Sequence, residues 1–224
     1  MELDSGYFYG SRGILPQEQV DKLFVKEEPF VYGSTAEKLP PKKTLADFNA
    51  MPEDWRGEFI DGAIYDLARP NALHQRIQLE IASQLLAFAK KHSNRCQVLP
   101  EMDVRFQETD PQYCVPDISV LCDPNKLLNN EIIIGAPDLA VEILSPATRT
   151  RDLIIKLNKY MDCGVREYWI VDPDAREVIR YFFEEDRIAE RFSFGDKIPV
   201  LISGGELEID LSDISLPQAP GITE

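Results

Sequence analysis

The sequence predicts a mixed α/β sheet flanked by helices, with an extra N-terminal segment and β-hairpins. Two long stretches carry helical periodicity. Several short apolar runs bounded by turn residues read as strands. Their order is hairpin, helix, strands, helix, strands, as expected of a sheet with helices packed on it.

Residues 1–43 read as an irregular lead-in, because Gly6, Gly10, Gly13, Pro16, Pro29, Gly33 and the pair Pro40-Pro41 interrupt any periodicity. KKTLADFNAMPEDW (42–55) reads as a short helix capped by Thr44. GEFIDGAIYDLA (57–68) is a hairpin, since Asp61-Gly62 between apolar arms is a strong tight-turn signal. Asn71 to His92 is a helix with Leu73, Ile77, Ile81, Leu85 and Phe88 on one stripe. QVLPEMDVRF (97–106) alternates as one strand and DISVLC (117–122) forms another. LAVEIL (139–144) is almost wholly apolar, as a central strand covered on both faces would be. Thr150 to Cys163 is the second long helix, closed by Gly164. EYWIVD (167–172) and EVIRYFF (177–183) form a hairpin, and short strands follow to about Ile214.

With 224 residues and 44% hydrophobic composition the chain can bury a real core. No apolar run approaches the roughly 18 residues of a membrane span, and MELDSGYFYG lacks the features of a secretory signal. Cys96, Cys114, Cys122 and Cys163 show neither CxxC nor zinc spacing and read as four reduced thiols, which suits the cytoplasm. The net charge of −15 counts against tight general DNA binding, which needs a basic face. It leaves room for a local basic rim, for which Arg69, Arg76, Arg149 and Arg151 are the candidates.

Glu142 is the most informative residue. It lies inside LAVEIL and shares a strand face with Ala140 and Leu144. A carboxylate there is costly unless paired, hydrogen-bonded or bound to metal; the bland alternative is a strand-end glutamate reaching water. Asp117 leads directly into ISVL, where it is either a turn aspartate after Pro116 or a second acid of the same cluster. Two such acids on adjacent strands form a hard-oxygen pair suited to Mg²⁺ or Mn²⁺. Lys156 lies in the helix after the Glu142 strand. It either reaches back to the acids or pairs with Asp152 on a solvated face.

VPDISV (115–120), GAPDLAVEILSPAT (135–148), RDLIIKLNKY (151–160) and GVREYWIVDP (164–173) resemble the Uma-type restriction endonucleases of the PD-(D/E)XK nuclease superfamily. EFIDGAIY (58–65) and ALHQRIQ (72–78) fit the same pattern. The resemblance covers roughly residues 44–215, leaving the lead-in 1–43 and a tail 216–224 outside it. It implies a restriction-endonuclease-like fold in which Asp117 and Glu142 are the motif acids and metal ligands. The motif lysine would stand at Leu144; the resemblance implies that it has migrated to Lys156, with Lys159 next to examine. Glu58 and His74 match further polar positions of the site, and Ala147 departs from the usual serine.

The resemblance implies Mg²⁺- or Mn²⁺-dependent endonuclease action on DNA. Lys156 would orient the attacking water or stabilise the transition state, His74 would contact a phosphate or assist proton transfer, and Glu58 would ligate the metal through water. Intrinsic DNA affinity is expected to be weak, no membrane partner is expected, and a homodimer would suit an enzyme that cuts both strands. Two rivals stay open. One is a non-cleaving DNA-binding or regulatory module. The other is a metal-dependent hydrolase of a smaller phosphoester, favoured by a closed pocket over a basic groove.

Overall fold

Cap and turn residues set the element boundaries. The computed structural model describes residues 42–52, 54–67, 69–93, 95–106, 112–184 and 189–214, with the backbone of 7–10 and 13–16. Residues 1–42 and 43–224 are two separate compact units. The first contains an antiparallel hairpin, β1 (Tyr7–Gly10) with β2 (Gly13–Pro16), within the lead-in read as irregular. The rest of that lead-in, and the tail 216–224, lie outside the described residues.

In the second unit Thr44 caps α1 (Leu45–Asn49). Its Oγ1 accepts from the Asp47 amide at 3.2 Å, and its own amide donates to Asp47 Oδ2 at 2.7 Å. The helix stops well before residue 55 because Pro52 cannot continue it and restricts Met51. β3 (Gly57–Ile60) and β4 (Ala63–Asp66) meet at Asp61 (φ 51°) and Gly62 (φ 84°), the two positive φ values a type I′ turn demands. α2 (Ala72–Lys91) starts at Asn71, whose side chain accepts from the His74 amide.

The segment expected as one strand over 97–106 is two, β5 (Gln97–Pro100) and β6 (Asp103–Arg105). Glu101 takes φ 49° between them, and each half joins a different sheet. β7 (Tyr113–Cys114), β8 (Ile118–Leu121), β9 (Leu127–Leu128), β10 (Ile132–Ile134) and β11 (Leu139–Ile143) follow. The second long helix opens as a π-helix over Arg151–Lys156 and continues as α3 (Leu157–Cys163), capped by Gly164 at φ 88°. β12 (Glu167–Asp172), β13 (Glu177–Phe182), β14 (Glu190–Ser193), β15 (Lys197–Val200) and β16 (Leu207–Asp210) complete the fold.

The main sheet has the order β14-β13-β12-β11-β8-β5, with β11 and β12 parallel and its other pairs antiparallel. The second runs β4-β3-β7-β6-β10-β9, and β15-β16 is a separate ribbon. Leu139, Val141 and Ile143 of β11 join Ile118 and Val120 of β8 in a core with Ile77, Ile81 and Leu85 of α2. Alternation therefore turns Ala140 and Glu142 to the opposite face, toward the crossover between β11 and β12 that carries the π-helix.

The expectation of four reduced thiols is corrected, because Cys96 and Cys122 form a disulfide and Cys114 and Cys163 are free. β5 and β8 pair Gln97 with Leu121, so the two cysteines stand opposite one another just beyond the ladder. Cysteine usage therefore no longer speaks for a reducing compartment. No helix among the described residues is long and apolar enough to cross a membrane.

A Cβ at Gly57 would collide with the Trp55 indole and the Tyr65 carbonyl. Gly57→Ala should therefore destabilise the protein by roughly 1–3 kcal/mol, seen as a lower midpoint in urea unfolding. An unchanged midpoint would mean that Trp55 moves aside freely.

Candidate active site

Asp117 and Glu142 occupy neighbouring strand ends. In the β8–β11 ladder the last pair is Ile118 with Val141, and the two acids stand opposite one another one step beyond it, Glu142 still paired with Ile170 of β12. Asp117 Oδ2 accepts from the Ile143 amide at 2.6 Å, which ties its carboxylate to the Glu142 strand. Two residues of α2 reach the same aspartate. His74 Nε2 lies 3.2 Å from Oδ2, and Gln78 Nε2 donates to the backbone carbonyl at 2.8 Å.

Glu142 is 3% exposed, and its Oε1 accepts from Lys156 Nζ at 2.7 Å and from the Tyr160 hydroxyl at 2.6 Å. The Lys156 ammonium also lies 2.7 Å from Glu58 Oε1 and 3.6 Å from Asp152 Oδ1. Glu58 comes from the second sheet, is fully buried, and accepts from the Val115 amide at 2.8 Å. The π-helix explains how this side chain arrives. Its i→i+5 stacking puts Arg151 and Lys156 on one side, where an α-helix would set them about 140° apart. Leu144, at the position expected for the motif lysine, is buried, and Lys159 is turned away to Asp61 at 2.7 Å.

Charge in this cluster is unbalanced. Burial pushes Glu142 well above the usual carboxylate range, with Lys156 opposing, and raises Asp152 in the same way. Burial alone would lower Lys156, but Glu142, Glu58 and Asp152 outweigh it and hold the ammonium above its usual range. Burial likewise opposes protonation of His74, yet the hydrogen bond and charge of Asp117 win and raise it. Burial and Glu142 keep the Tyr160 hydroxyl protonated, so it donates. The ammonium is thus secure, and three carboxylates are shared between it and the Arg151 guanidinium.

The cluster forms the foot of a cleft of about 900 Å³ lined by Asp117, Glu142, His74, Asp152, Lys156 and Arg151. Of the four arginines expected at a basic rim, Arg69 and Arg151 line it. Arg149 pairs with Asp172 and Arg76 with Glu80. Asp54, Asp66, Glu101 and Asp174 also line the cleft, so its mouth is not a basic track. Among the described residues no group of three or more His, Cys, Asp or Glu is arranged to hold a metal. Two carboxylates are the sparser set that Mg²⁺ accepts beside water and phosphate oxygens.

The structure brings Glu58, His74, Asp117, Glu142 and Lys156 into one site. Sequence reasoning gave no role to Tyr160 and considered Asp152 only in the alternative that pairs it with Lys156 on a solvated face, whereas it is 2% exposed. Spacing held a signal, since Asp152, Lys156 and Tyr160 recur every four residues along the helix that covers Glu142.

Lys156→Met should destabilise the metal-free protein by about 3–5 kcal/mol at neutral pH, since it strands three buried carboxylates. Glu142 and Asp152 already titrate above their unfolded values. The stability linked to their protonation is full below about pH 3.9–4.3 and lost as pH rises through the folded values. The substitution raises them further, so the deficit in urea unfolding should shrink as pH falls toward 4. A pH-independent deficit would show that packing alone was lost.

Comparison with known proteins bears on the family and the fold. The Uma2 family model, described as "Putative restriction endonuclease", matches residues 45–212. A Synechocystis sp. protein described as uncharacterized is 28% identical over 151 residues, which is 66% of this chain and 76% of its own. The crystal structure of "a putative nuclease belonging to DUF820" from Anabaena variabilis superposes with a TM-score of 0.63 at 27% identity. That match covers 76% of this chain and 96% of the other. The mixed α/β fold is thus shared with a nuclease-like neighbour, and by the family match over most of its length this chain belongs to the Uma2 family.

Proposed function

We propose that the protein is a metal-dependent endonuclease that hydrolyses DNA phosphodiester bonds, with Asp117 and Glu142 as its metal ligands. The observation that carries this reading is geometric: the two acids stand opposite one another on adjacent strands, Asp117 is tied to the Glu142 strand through the Ile143 amide, and both line one cleft. Burial holds Glu142 above its usual range although an ammonium lies 2.7 Å away. Such a site gains by taking up a proton or a cation, and its donors are hard carboxylate oxygens. Asp117 Oδ2 and Glu142 Oε1 accept the hydrogen bonds described; Oδ1 and Oε2 accept none among the described residues. A bound Mg²⁺ or Mn²⁺ would supply Lewis-acid polarisation of the phosphodiester and a more acidic water.

The chain's own residues hold the two acids in place. His74, Gln78 and the Ile143 amide fix Asp117; Lys156 and Tyr160 fix Glu142. An ammonium has three donors, and Glu58, Glu142 and Asp152 surround this one. Lys156 therefore acts as a positioning residue, working through Glu142 rather than on the attacking water. Glu58 Oε1 is taken by Lys156 and Val115, so Glu58 acts behind the ligands. The acidic lining residues and the cleft volume favour one second reading, a hydrolase of a smaller phosphoester, since about 300–1,000 Å³ is the range of small-molecule sites.

The protein should cleave DNA in Mg²⁺ or Mn²⁺ and not in EDTA. Asp117→Asn should lower the rate by roughly 100-fold or more and weaken metal binding in calorimetry. Its thermal midpoint should stay close to wild type, because an Asn oxygen can still accept from Ile143. Wild-type protein that neither binds metal nor cleaves DNA would refute the reading. Hydrolysis of a small phosphodiester with DNA untouched would establish the second one.

A further inference from the structure

With Lys156 enclosed by carboxylates, the cation that meets the substrate must be another residue. Arg151 lines the same cleft as Asp117 and Glu142, and its side chain is only 10% exposed. Its guanidinium lies over the Tyr65 ring, 5.2 Å from the centroid. Its Nε stands 3.3 Å from Glu58 Oε2 and 3.8 Å from Asp152 Oδ1.

These contacts do not satisfy it. Arg151 Nε and Glu58 Oε2 are both buried and neither makes a hydrogen bond among the described residues. Nor do the described residues supply a hydrogen bond to the terminal nitrogens of Arg151. A residue serving only as counterion to Glu58 would turn its fork onto that carboxylate, whose Oε1 is already taken by Lys156 and Val115. Instead the group is clamped on one face by an aromatic ring and on one edge by charge, with its remaining donors left to the cleft. A rigid guanidinium fork with unused donors beside two metal-binding acids matches two oxygens of a phosphate.

We infer that Arg151 is a substrate-binding residue of this site, holding the non-bridging oxygens of the phosphodiester brought to Asp117 and Glu142. This inference rests on the nuclease reading. The other arginines near the cleft are placed differently: Arg56 is spent on Glu101, Arg149 on Asp172, and Arg69 is exposed. Only in the π-helical turn does an arginine at this position share a side with Lys156.

The test is binding of a short fluorescein-labelled single-stranded oligodeoxynucleotide, read by anisotropy in EDTA across a salt series, beside a cleavage assay in Mg²⁺. Arg151→Met keeps the stem and removes the fork. It should weaken binding by about tenfold and reduce the slope of log affinity against log salt by about 0.7. Arg151→Lys keeps a charge beside Glu58 and should recover the fold but only part of the affinity. Tyr65→Leu removes the stacking surface and should weaken binding several-fold with no change in charge. Folded Arg151→Met that binds with wild-type affinity and slope would overturn the inference. So would Arg151→Lys binding like wild type while Arg151→Met fails to fold, since Arg151 would then be a structural cation. Either result with wild-type cleavage intact leaves the nuclease reading standing, whereas wild-type protein that neither binds nor cleaves DNA removes both.

Discussion

The Lys156 ammonium joins the two sheets. Glu58 comes from the second sheet and Glu142 from the centre of the main one, and one Nζ lies 2.7 Å from a carboxylate oxygen of each. Burying three charges this way is expensive, and partners for the remaining acceptors offset part of the cost. The Val115 amide and the Tyr160 hydroxyl serve that end. Because the ammonium has fixed reach, it also dictates how far the Glu58 hairpin can stand from β11. The feature that specifies the packing is thus the one that aims Glu142 at the cleft.

Asp117 is secured independently. α2 packs its apolar stripe on the far face of the main sheet, and its first turns extend beyond the ends of β8 and β11. There His74 and Gln78 meet the aspartate side chain and carbonyl. One acid is therefore held through the helix on one face of the sheet and the other through the π-helix on the opposite face. A change in either helix would alter the spacing of the two carboxylates without touching them, and metal sites are sensitive to displacements of that kind.

Much of this was legible in the sequence because it is local. Asp61-Gly62, Thr44, Asn71 and Gly164 each satisfy a backbone requirement within a few residues. A glutamate inside LAVEIL is a thermodynamic anomaly that a reader can see without coordinates. The misses came from tertiary context. No local rule breaks a strand at Glu101, since the break comes from the two halves joining different sheets. The Cys96–Cys122 pairing depends on the β5–β8 register across 26 residues. The i,i+4 spacing sets Asp152 beside Lys156, but whether that shared face meets solvent or the sheet is decided by the crossover, and it is buried. Arg151, expected at the rim of the cleft, does line it, but its stacking on Tyr65 and its place beside Glu58 depend on tertiary contacts that local spacing does not show.

The net charge of −15 appears at odds with a polyanionic substrate, and the resolution lies in where the charges sit. Around the cleft, Arg56 neutralises Glu101, whereas Asp66 accepts from the neutral Trp55 indole and keeps its charge, so the mouth is not attractive to a polyanion. Long-range steering would then be weak or unfavourable, and encounter with DNA slow. Affinity has to come from the foot of the cleft, where exclusion of water strengthens each contact and salt screens it less than at the surface. There the protein offers the carboxylates of Asp117 and Glu142 and one clamped guanidinium. Recognition would be concentrated on a single phosphate, with little contribution from the flanking backbone.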